Sequence, residues 1–207
     1  MKIELPSFIL EKINITNSKH LQVIKEFDRD YIVKKYLYPY KDSFYDLVSN
    51  DLNSPTVFNT FYIIYLKENN KPIGYTEIGR PKNTYINAAF LNQERGKGYG
   101  TKFLSELSLY LITNYSDEIE TINTIVHREN LASRKTCLNS GFIELETKNP
   151  KFVAYVKKNS KKRTKWHLKM YFFGIIIIKK WWYEKNMFKK LCNTNFSNIN
   201  LLNNIFT

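Results

Sequence analysis

The chain has 207 residues, with 32 Lys or Arg against 19 Asp or Glu, and a formal net charge of +13. The excess lies in residues 157–207, which hold twelve basic residues and one acidic residue, whereas residues 1–156 hold 20 and 18. Because the first part is nearly neutral, the overall basicity does not indicate a nucleic-acid-binding domain. That part is long enough to form one domain with its own core.

The first 80 residues predict alternating strands and helices. A strand is followed by a helix that Asn17 or Ser18 caps and that runs through Leu21, Ile24 and Phe27. A second short helix and a hairpin with a polar turn come next. The first strand covers residues 8–15 and the second helix residues 43–52. The two strands of the hairpin cover residues 61–67 and 73–79.

The following 75 residues predict a second set of elements. They are a turn, an apolar strand, a helix with apolar residues at helical spacing, a β-branched strand and a closing pair of strands around Asn149-Pro150. The ranges are residues 81–84, 85–91, 103–111, 121–126, 142–147 and 152–156. This order predicts an α/β fold.

Three alternating glycines, Gly96, Gly98 and Gly100, separate the apolar strand 85–91 from the helix that follows. Glycine lets the backbone approach a ligand closely, and the start of a helix offers unpaired N–H groups to an anion. The spacing matches neither the dinucleotide fingerprint nor the nucleotide-triphosphate loop. These residues alone allow two interpretations of the segment: it is an ordinary turn, or it is an anion-binding loop.

A second motif begins with Asn130, directly after the β-branched strand, continues through Ser133 and ends at Gly141-Phe142. Together with Arg95-x-x-Gly98-x-Gly100, it resembles the GNAT superfamily of acetyl-CoA-dependent N-acetyltransferases. The resemblance covers about residues 8–157, with motif-level identity within about 85–142. It implies a mixed, mostly antiparallel sheet flanked by helices, in an N-acetyltransferase domain of residues 1–157.

The resemblance also implies how acetyl-CoA is bound as a cosubstrate. The pantetheine arm is expected to pair with the end of strand 85–91, where a backbone N–H near Phe90 or Leu91 stabilises the oxyanion. The loop amides are expected to hold the pyrophosphate, and Asn130 to contact the pantetheine or the sulfur, with Ser133 nearby. The loop residues are Arg95, Gly96, Lys97, Gly98, Tyr99, Gly100 and Thr101.

Amide formation needs a proton acceptor for the amine and a donor for the departing thiolate. His127 and Glu77 are the candidate bases, each with a structural alternative as a surface side chain. Many members of the family carry a tyrosine as the acid where this chain has Cys137. Cys137 is therefore either the acid or a small packing residue, and Ser140 and solvent are its rivals.

The sequence does not decide which amine is the acceptor; a small amine, an antibiotic amine and a protein N-terminus all remain candidates. An aromatic and acidic segment lies where the acceptor site is expected, and it either holds a cationic amine or packs in the core. It contains Tyr31, Tyr36, Tyr38, Tyr40 and Tyr45 with Asp28, Asp30, Asp42 and Asp46. The alternative function is a catalytically degenerate acyl-CoA-binding module whose tail binds a membrane or a partner.

Residues 158–207 form a basic, aromatic and Asn-rich extension that carries all three tryptophans and is expected to be separable from catalysis. Its apolar run 170–178 is too short to span a bilayer, which takes about 20 residues. Three interpretations of the extension remain. It forms a helix on a membrane surface, it contacts another subunit such as a homodimer partner, or it has no role. No specific nucleic-acid motif accompanies it.

The cysteines Cys137 and Cys192 have no metal-ligand spacing, so neither a metal nor a disulfide is expected. The first 14 residues lack both a basic start and a long apolar core. Without these features of an export signal, a cytoplasmic location is expected.

Overall fold

The computed structural model describes residues 1–37, 43–49 and 55–160. The features predicted for the tail lie outside this range, as do Tyr38, Tyr40 and Asp42. Residues Met1–Asn159 form one compact unit. Its elements are β1 (Lys2–Glu4), β2 (Phe8–Lys12), α1 (Ser18–Arg29), α2 (Tyr31–Leu37), α3 (Phe44–Ser49), β3 (Thr60–Leu66), β4 (Lys71–Ile78), β5 (Lys82–Phe90), α4 (Tyr99–Asn114), β6 (Ile119–His127), α5 (Leu131–Asn139), β7 (Ile143–Glu146) and β8 (Phe152–Lys158).

The strands form one eight-stranded sheet in the order β1-β2-β3-β4-β5-β6-β8-β7. Strands β5 and β6 pair in parallel, and the other neighbours pair antiparallel. Helix α4 makes the crossover that a parallel pair requires. The mixed, mostly antiparallel sheet that the sequence predicted is confirmed.

Two apolar cores cover the two faces of the sheet. On β5, Ile86 belongs to the core beneath α4 and α5, while Ala89 belongs to the core beneath α1, α2 and α3. This division follows from the pleat, because successive side chains of a strand point to opposite faces. The central strand β3 is buried along its whole length, which explains its continuous apolar sequence.

Several predicted boundaries differ from the observed ones. Helix α2 was missed because its seven residues carry little periodic signal; Asp30 ends α1 and also caps α2 by accepting the N–H groups of Ile32 and Val33. The predicted turn 81–84 is wrong from Lys82 onward, because Lys82 already pairs with Ile119 as part of β5. The short strand β1 was not predicted either.

The two parallel strands separate toward their C-terminal ends. Strand β5 pairs with β6 from Lys82 to Tyr85, but β4 stays paired with β5 as far as Phe90. On the other side, β8 stays paired with β6 as far as His127. The sheet therefore opens between the second halves of β5 and β6, and this opening positions the candidate site.

Candidate functional site

A cleft, here called the strand cleft, fills the opening between β5 and β6. Both strands line it, and helices α2, α4 and α5 close its sides. Its lining residues are Tyr36, Ile86, Asn87, Ala88, Phe90, Gly100, Phe103, Leu104, Thr124, Ile125, Val126, His127, Asn130, Ser133, Thr136 and Cys137. The predicted residues Phe90, Asn130, Ser133, His127 and Cys137 are thus brought together.

The hydrogen bonding of β5 decides which backbone groups face the strand cleft. The Leu91 N–H donates to the Ile73 carbonyl at 2.9 Å, on the side of β4. In an antiparallel pair, the next residue directs its N–H and C=O to the opposite edge, so Phe90 and Ala88 direct theirs toward the cleft. The predicted oxyanion donor Leu91 is therefore excluded, and Phe90 and Ala88 offer the N–H groups.

A second cleft, the loop cleft, continues from the strand cleft over the glycine loop. The two clefts share residues including Tyr36, Phe90 and Asn130, so they form one groove. The loop cleft is lined by Ile32, Val33, Tyr36, Ala88, Ala89, Phe90, Glu94, Arg95, Gly96, Gly98, Tyr99, Gly100, Thr101, Asn130, Ala132, Ser133, Lys135, Thr136 and Asn139. Among the loop residues predicted to hold pyrophosphate, Lys97 is absent from this lining.

Gly98 is the N-cap of α4 and has the left-handed values φ 80° and ψ −2°. Gly96 also has a positive φ of 76°. A Cβ at either position would meet no atom within 4 Å, so both face open space. No described side chain caps α4, and its first turn holds no acidic residue. Its first N–H groups and the positive end of its dipole therefore suit an anion.

Gly100 has a different role from its two neighbours. A Cβ there would lie 3.3 Å from Thr136 Cγ2 and 3.7 Å from the Phe90 ring. Its missing side chain therefore allows α4 and α5 to approach each other beside the cleft.

Arg95 holds the end of β5 to the junction of α1 and α2. Its Nε donates to the Phe90 carbonyl at 2.9 Å, and its guanidinium lies 2.5 Å from the Asp30 carboxylate. The Asp30 side chain is only 12% exposed. The charge of Arg95 is thus already paired with a carboxylate, at a residue that also lines the loop cleft.

Lys97 is held in the same way by Glu94, whose side chain is 1% exposed. Its Nζ lies 2.9 Å from one carboxylate oxygen of Glu94, and Lys71 Nζ lies 2.5 Å from the other. Hydrogen bonds from Lys71 and Lys97 lower the pKa of Glu94. The cation that α5 adds to the loop cleft is Lys135, which the sequence reasoning missed.

This lowered pKa predicts an acid-sensitive contribution to stability. A carboxylate whose pKa is lower in the folded state stabilises the protein above its unfolded pKa, and that contribution is lost as pH falls through the folded pKa. We expect Glu94→Gln to lower the Tm by about 2–4 °C at pH 7. Thermal unfolding should show the two proteins converging as the pH falls below about 4. A constant difference at every pH would contradict this assignment.

Asn130 and Ser133 form the start of α5 at the bottom of the groove. Asn130 is the N-cap, and its Oδ1 accepts the Ser133 N–H at 3.1 Å. The two residues line both clefts. Helix capping therefore explains why Asn130 and Ser133 lie three residues apart. The same hydrogen bond holds the Asn130 side chain in place beside the groove.

Helix α2 crosses the groove and contacts its far wall. The Tyr36 ring lies 5.3 Å from the His127 ring, and Lys35 pairs with Glu129 at 3.5 Å. Hydrogen bonding to Tyr36 raises the pKa of Lys35, and Glu129 raises it further. The sequence placed Tyr36 in an aromatic segment but did not predict its contact with His127, a candidate base.

Three acidic groups near the expected acceptor site already have partners or lie outside the groove lining. Asp28 accepts the Phe44 N–H at 2.5 Å, and Asp30 pairs with Arg95. Asp46 is exposed, and so are Tyr31 at 72% and Tyr45 at 40%. In the described residues, Tyr36 is the member of the predicted aromatic segment that lines the groove.

The two candidate bases differ in their access to the groove. His127 lines the strand cleft, and its Nδ1 accepts the Glu129 N–H at 3.3 Å, so the neutral ring carries its proton on Nε2. Glu77 accepts hydrogen bonds from the Tyr85 hydroxyl at 2.5 Å and from Asn87 Nδ2 at 2.8 Å. Asn87 lines the strand cleft, so Glu77 lies one side chain behind it.

Cys137 lies in the apolar core at the base of the strand cleft, 3% exposed. Burial raises the pKa of its thiol to about 12. Such a thiol is a weaker acid than an ordinary thiol near 8.5. It therefore has little tendency to transfer its proton to a departing thiolate, and packing explains its position better.

No family model matches the chain, and no curated protein sequence matches it either. Solved structures do match. An acetyltransferase of the GNAT family from Bacillus anthracis aligns with a TM-score of 0.63 and 15% identity, over 77% of this chain and 99% of its own. An aminoglycoside acetyltransferase in complex with coenzyme A and kanamycin aligns with a TM-score of 0.58 and 19% identity, over 77% and 99%. A ribosomal-protein α-N-acetyltransferase in complex with coenzyme A aligns with a TM-score of 0.58 and 13% identity, over 75% of this chain and 98% of its own.

These alignments show that the chain has the fold of the GNAT acetyltransferases, and the resemblance read from the two motifs is confirmed at that level. Within the described residues, no group of three His, Cys, Asp or Glu side chains could hold a metal ion. The described helices include none that is long and apolar enough to cross a bilayer.

Proposed function

We propose that this protein is an N-acetyltransferase that moves the acetyl group of acetyl-CoA to a primary amine by direct attack in a ternary complex. One observation carries the proposal. The groove joins the edge of β5 at Ala88 and Phe90, which no described strand pairs, to the start of α4 at Gly98, which no described side chain caps. A strand edge and a helix N-terminus in one groove suit an amide-containing arm that ends in a pyrophosphate.

The groove residues then have separate tasks. The pantetheine amides pair with the backbone edge of β5, while the pyrophosphate lies against the N–H groups of the glycine loop and the first turn of α4. Asn130 and Ser133 flank the arm at the start of α5. The Phe90 or Ala88 N–H donates to the oxyanion that forms on the thioester carbonyl.

The chemistry requires one proton to leave the amine and one to reach the thiolate. The neutral amine attacks the thioester carbonyl, the C–N bond forms, and the C–S bond breaks with the electron pair going to sulfur. Glu77 accepts the amine proton through a water molecule, since it lies one side chain behind the strand cleft. His127 Nε2–H donates a hydrogen bond into the strand cleft, and solvent supplies the proton that the departing thiolate takes up.

Replacement of the two candidate bases distinguishes their roles. We expect Glu77→Gln to lower kcat by about 100-fold, a typical contribution of general base catalysis. His127→Gln should lower kcat by less than about tenfold, because its Nδ1 is already occupied by the Glu129 N–H. Initial rates of thiol release at saturating acetyl-CoA measure both. The opposite order of effects would assign the base to His127.

Cys137 is proposed to act in packing. We expect Cys137→Ala to leave kcat within about twofold and to lower the free energy of unfolding by about 1 kcal/mol. In the native protein, iodoacetamide should fail to modify Cys137 because the thiol is buried and protonated. Peptide mapping by mass spectrometry separates it from Cys192. A tenfold loss of kcat in Cys137→Ala, with normal acetyl-CoA affinity, would restore the acid role.

The acceptor is an amine of one of three kinds: a small amine, an antibiotic amine or a protein N-terminus. The first test is acetyl-CoA turnover with spermidine, kanamycin and a short peptide with a free N-terminus, read by thiol release. Transfer to any of them supports the proposal. Tight CoA binding without turnover would favour the alternative, a degenerate acyl-CoA-binding module. We also propose that the C-terminal extension lies outside the transferase domain, with its start moved from residue 158 to residue 160, because β8 includes Lys158 and the compact unit ends at Asn159.

A further inference from the structure

Six apolar side chains lie together on the face of β6, β8 and β7 opposite to α4 and α5. This set, here called the apolar strip, consists of Ile125, Ile143, Leu145, Phe152, Ala154 and Val156. Ile125 is 61% exposed, Ile143 63% and Leu145 48%. Exposed apolar side chains that occur singly are normal, but a contiguous group indicates a binding surface.

The strand register makes these side chains contiguous. Ile125 lies opposite Ala154, and Ala154 lies opposite Leu145 on the next strand. Val156 lies opposite Ile143 in the adjacent row. Residues directly opposite each other on one face have their Cβ atoms about 5 Å apart. The strip is therefore continuous across three strands.

The described helices cover the rest of this face of the sheet but not the strip. The core beneath α1, α2 and α3 contains no described residue of β6, β7 or β8. Helix α2 reaches only the end of β6, where Tyr36 contacts His127. The strip begins beside that contact, because Ile125 is the next residue of β6 on the same face.

The strip is also continuous with the groove. Ile125 and His127 both line the strand cleft. The remaining strip residues extend away from the cleft across β8 to the edge strand β7. An acceptor whose amine lies in the cleft can therefore leave it along the strip.

We infer that the acceptor is a polypeptide whose N-terminal amine enters the strand cleft and whose next few residues lay apolar side chains on the strip. This inference rests on the proposed function. From β6 to β7 the strip spans two strand spacings, about 10 Å, which three extended residues cover. A polar small amine would leave these side chains exposed to water. A stable dimer interface takes some 20–30 residues a side, many more than six.

The test measures binding to the full-length, CoA-saturated protein by calorimetry. The probes are two peptide amides, Ser-Ile-Leu-Phe and Ser-Asn-Gln-Ser. We expect the apolar peptide to bind at least about tenfold more tightly, from the burial of its side chains. The double variant Ile143→Thr/Leu145→Thr keeps β-branched, strand-forming residues and should lose most of that preference. Its affinity for CoA and for the polar peptide should not change.

The matched control is Leu109→Gln, which replaces a leucine that is 65% exposed on α4, outside both clefts and the strip. It should leave the affinity of both peptides unchanged. Equal affinities for the two peptides would overturn the inference. A second result would also overturn it: sedimentation velocity shows a dimer for the wild-type protein and a monomer for the strip variant. A second copy of the chain would then cover the strip.

Acetylation of the same peptides separates this inference from the proposed function. If the rate of acetyl transfer to the apolar peptide falls about tenfold in the strip variant, the result supports both the inference and the proposed function. Transfer to kanamycin with no preference between the peptides overturns the inference alone. Strip-dependent binding of the apolar peptide without transfer to any amine supports the surface and contradicts the transferase activity.

Discussion

Replacing Gly98 by valine is expected to abolish acetyl-CoA binding in a protein that still folds. Gly98 caps α4 with φ 80°, and a side chain there would project into the open loop cleft where the pyrophosphate is proposed to lie. The substitution blocks access to the helix N–H groups. Hydrogen bonds to charged groups contribute about 1.5–3 kcal/mol each, so the loss of two lowers affinity by about 100-fold or more.

A matched control separates this effect from backbone strain. Gly141 also has a positive φ of 78°, but it lines neither cleft, and a Cβ there would meet only Lys157 Nζ at 3.9 Å. Gly141→Val therefore introduces the same left-handed strain, about 1–2 kcal/mol, without entering the groove. Calorimetry should show normal acetyl-CoA affinity for Gly141→Val. If Gly98→Val binds as tightly as this control, the loop does not hold the pyrophosphate.

Arg95→Ala is expected to lower the free energy of unfolding by about 2–3 kcal/mol and to weaken acetyl-CoA binding. The change leaves the Asp30 carboxylate, 12% exposed, without its cation. It also removes the donor to the Phe90 carbonyl at the end of β5. Because Phe90 lines both clefts, the stability and the affinity should fall together. Urea unfolding and calorimetry measure the two effects.

Asp30→Asn is the control that separates the ion pair from the helix cap. Asparagine keeps the oxygen that accepts the Ile32 and Val33 N–H groups, but it removes the charge that faces Arg95. In the double variant, Arg95→Ala should cost about 1 kcal/mol less than it does alone. Equal costs in both backgrounds would show that the two side chains are not coupled.

The groove could be predicted from the sequence where its signals are local. Gly96 and Gly98 lie between a strand and a helix, so their positive φ and the helix start after them follow from a few neighbouring residues. Asn130 caps α5 through a local contact as well, because its side chain accepts the N–H of Ser133 three residues later. Such motifs depend little on the rest of the fold.

The remaining contacts depend on residues far apart in the chain. The sequence placed Arg95 in the anion-binding loop, but it could not show that Asp30, 65 residues earlier, pairs with the Arg95 guanidinium. It could not exclude the Leu91 N–H, because the strand register decides which edge each backbone group faces. It placed Tyr36 in the acceptor segment without its contact to His127, and it gave no role to Lys135, which lines the loop cleft. Tertiary packing alone brings them to the groove.

Hydrogen exchange with and without acetyl-CoA tests the central claim most directly, because it reports both binding and its location. If the groove holds acetyl-CoA as proposed, amides in residues 86–90, 96–102 and 130–137 should exchange more slowly when it is bound. The edge strand β7 should not change. Absence of protection in the glycine loop at saturating acetyl-CoA, or protection confined to other segments, would contradict the account.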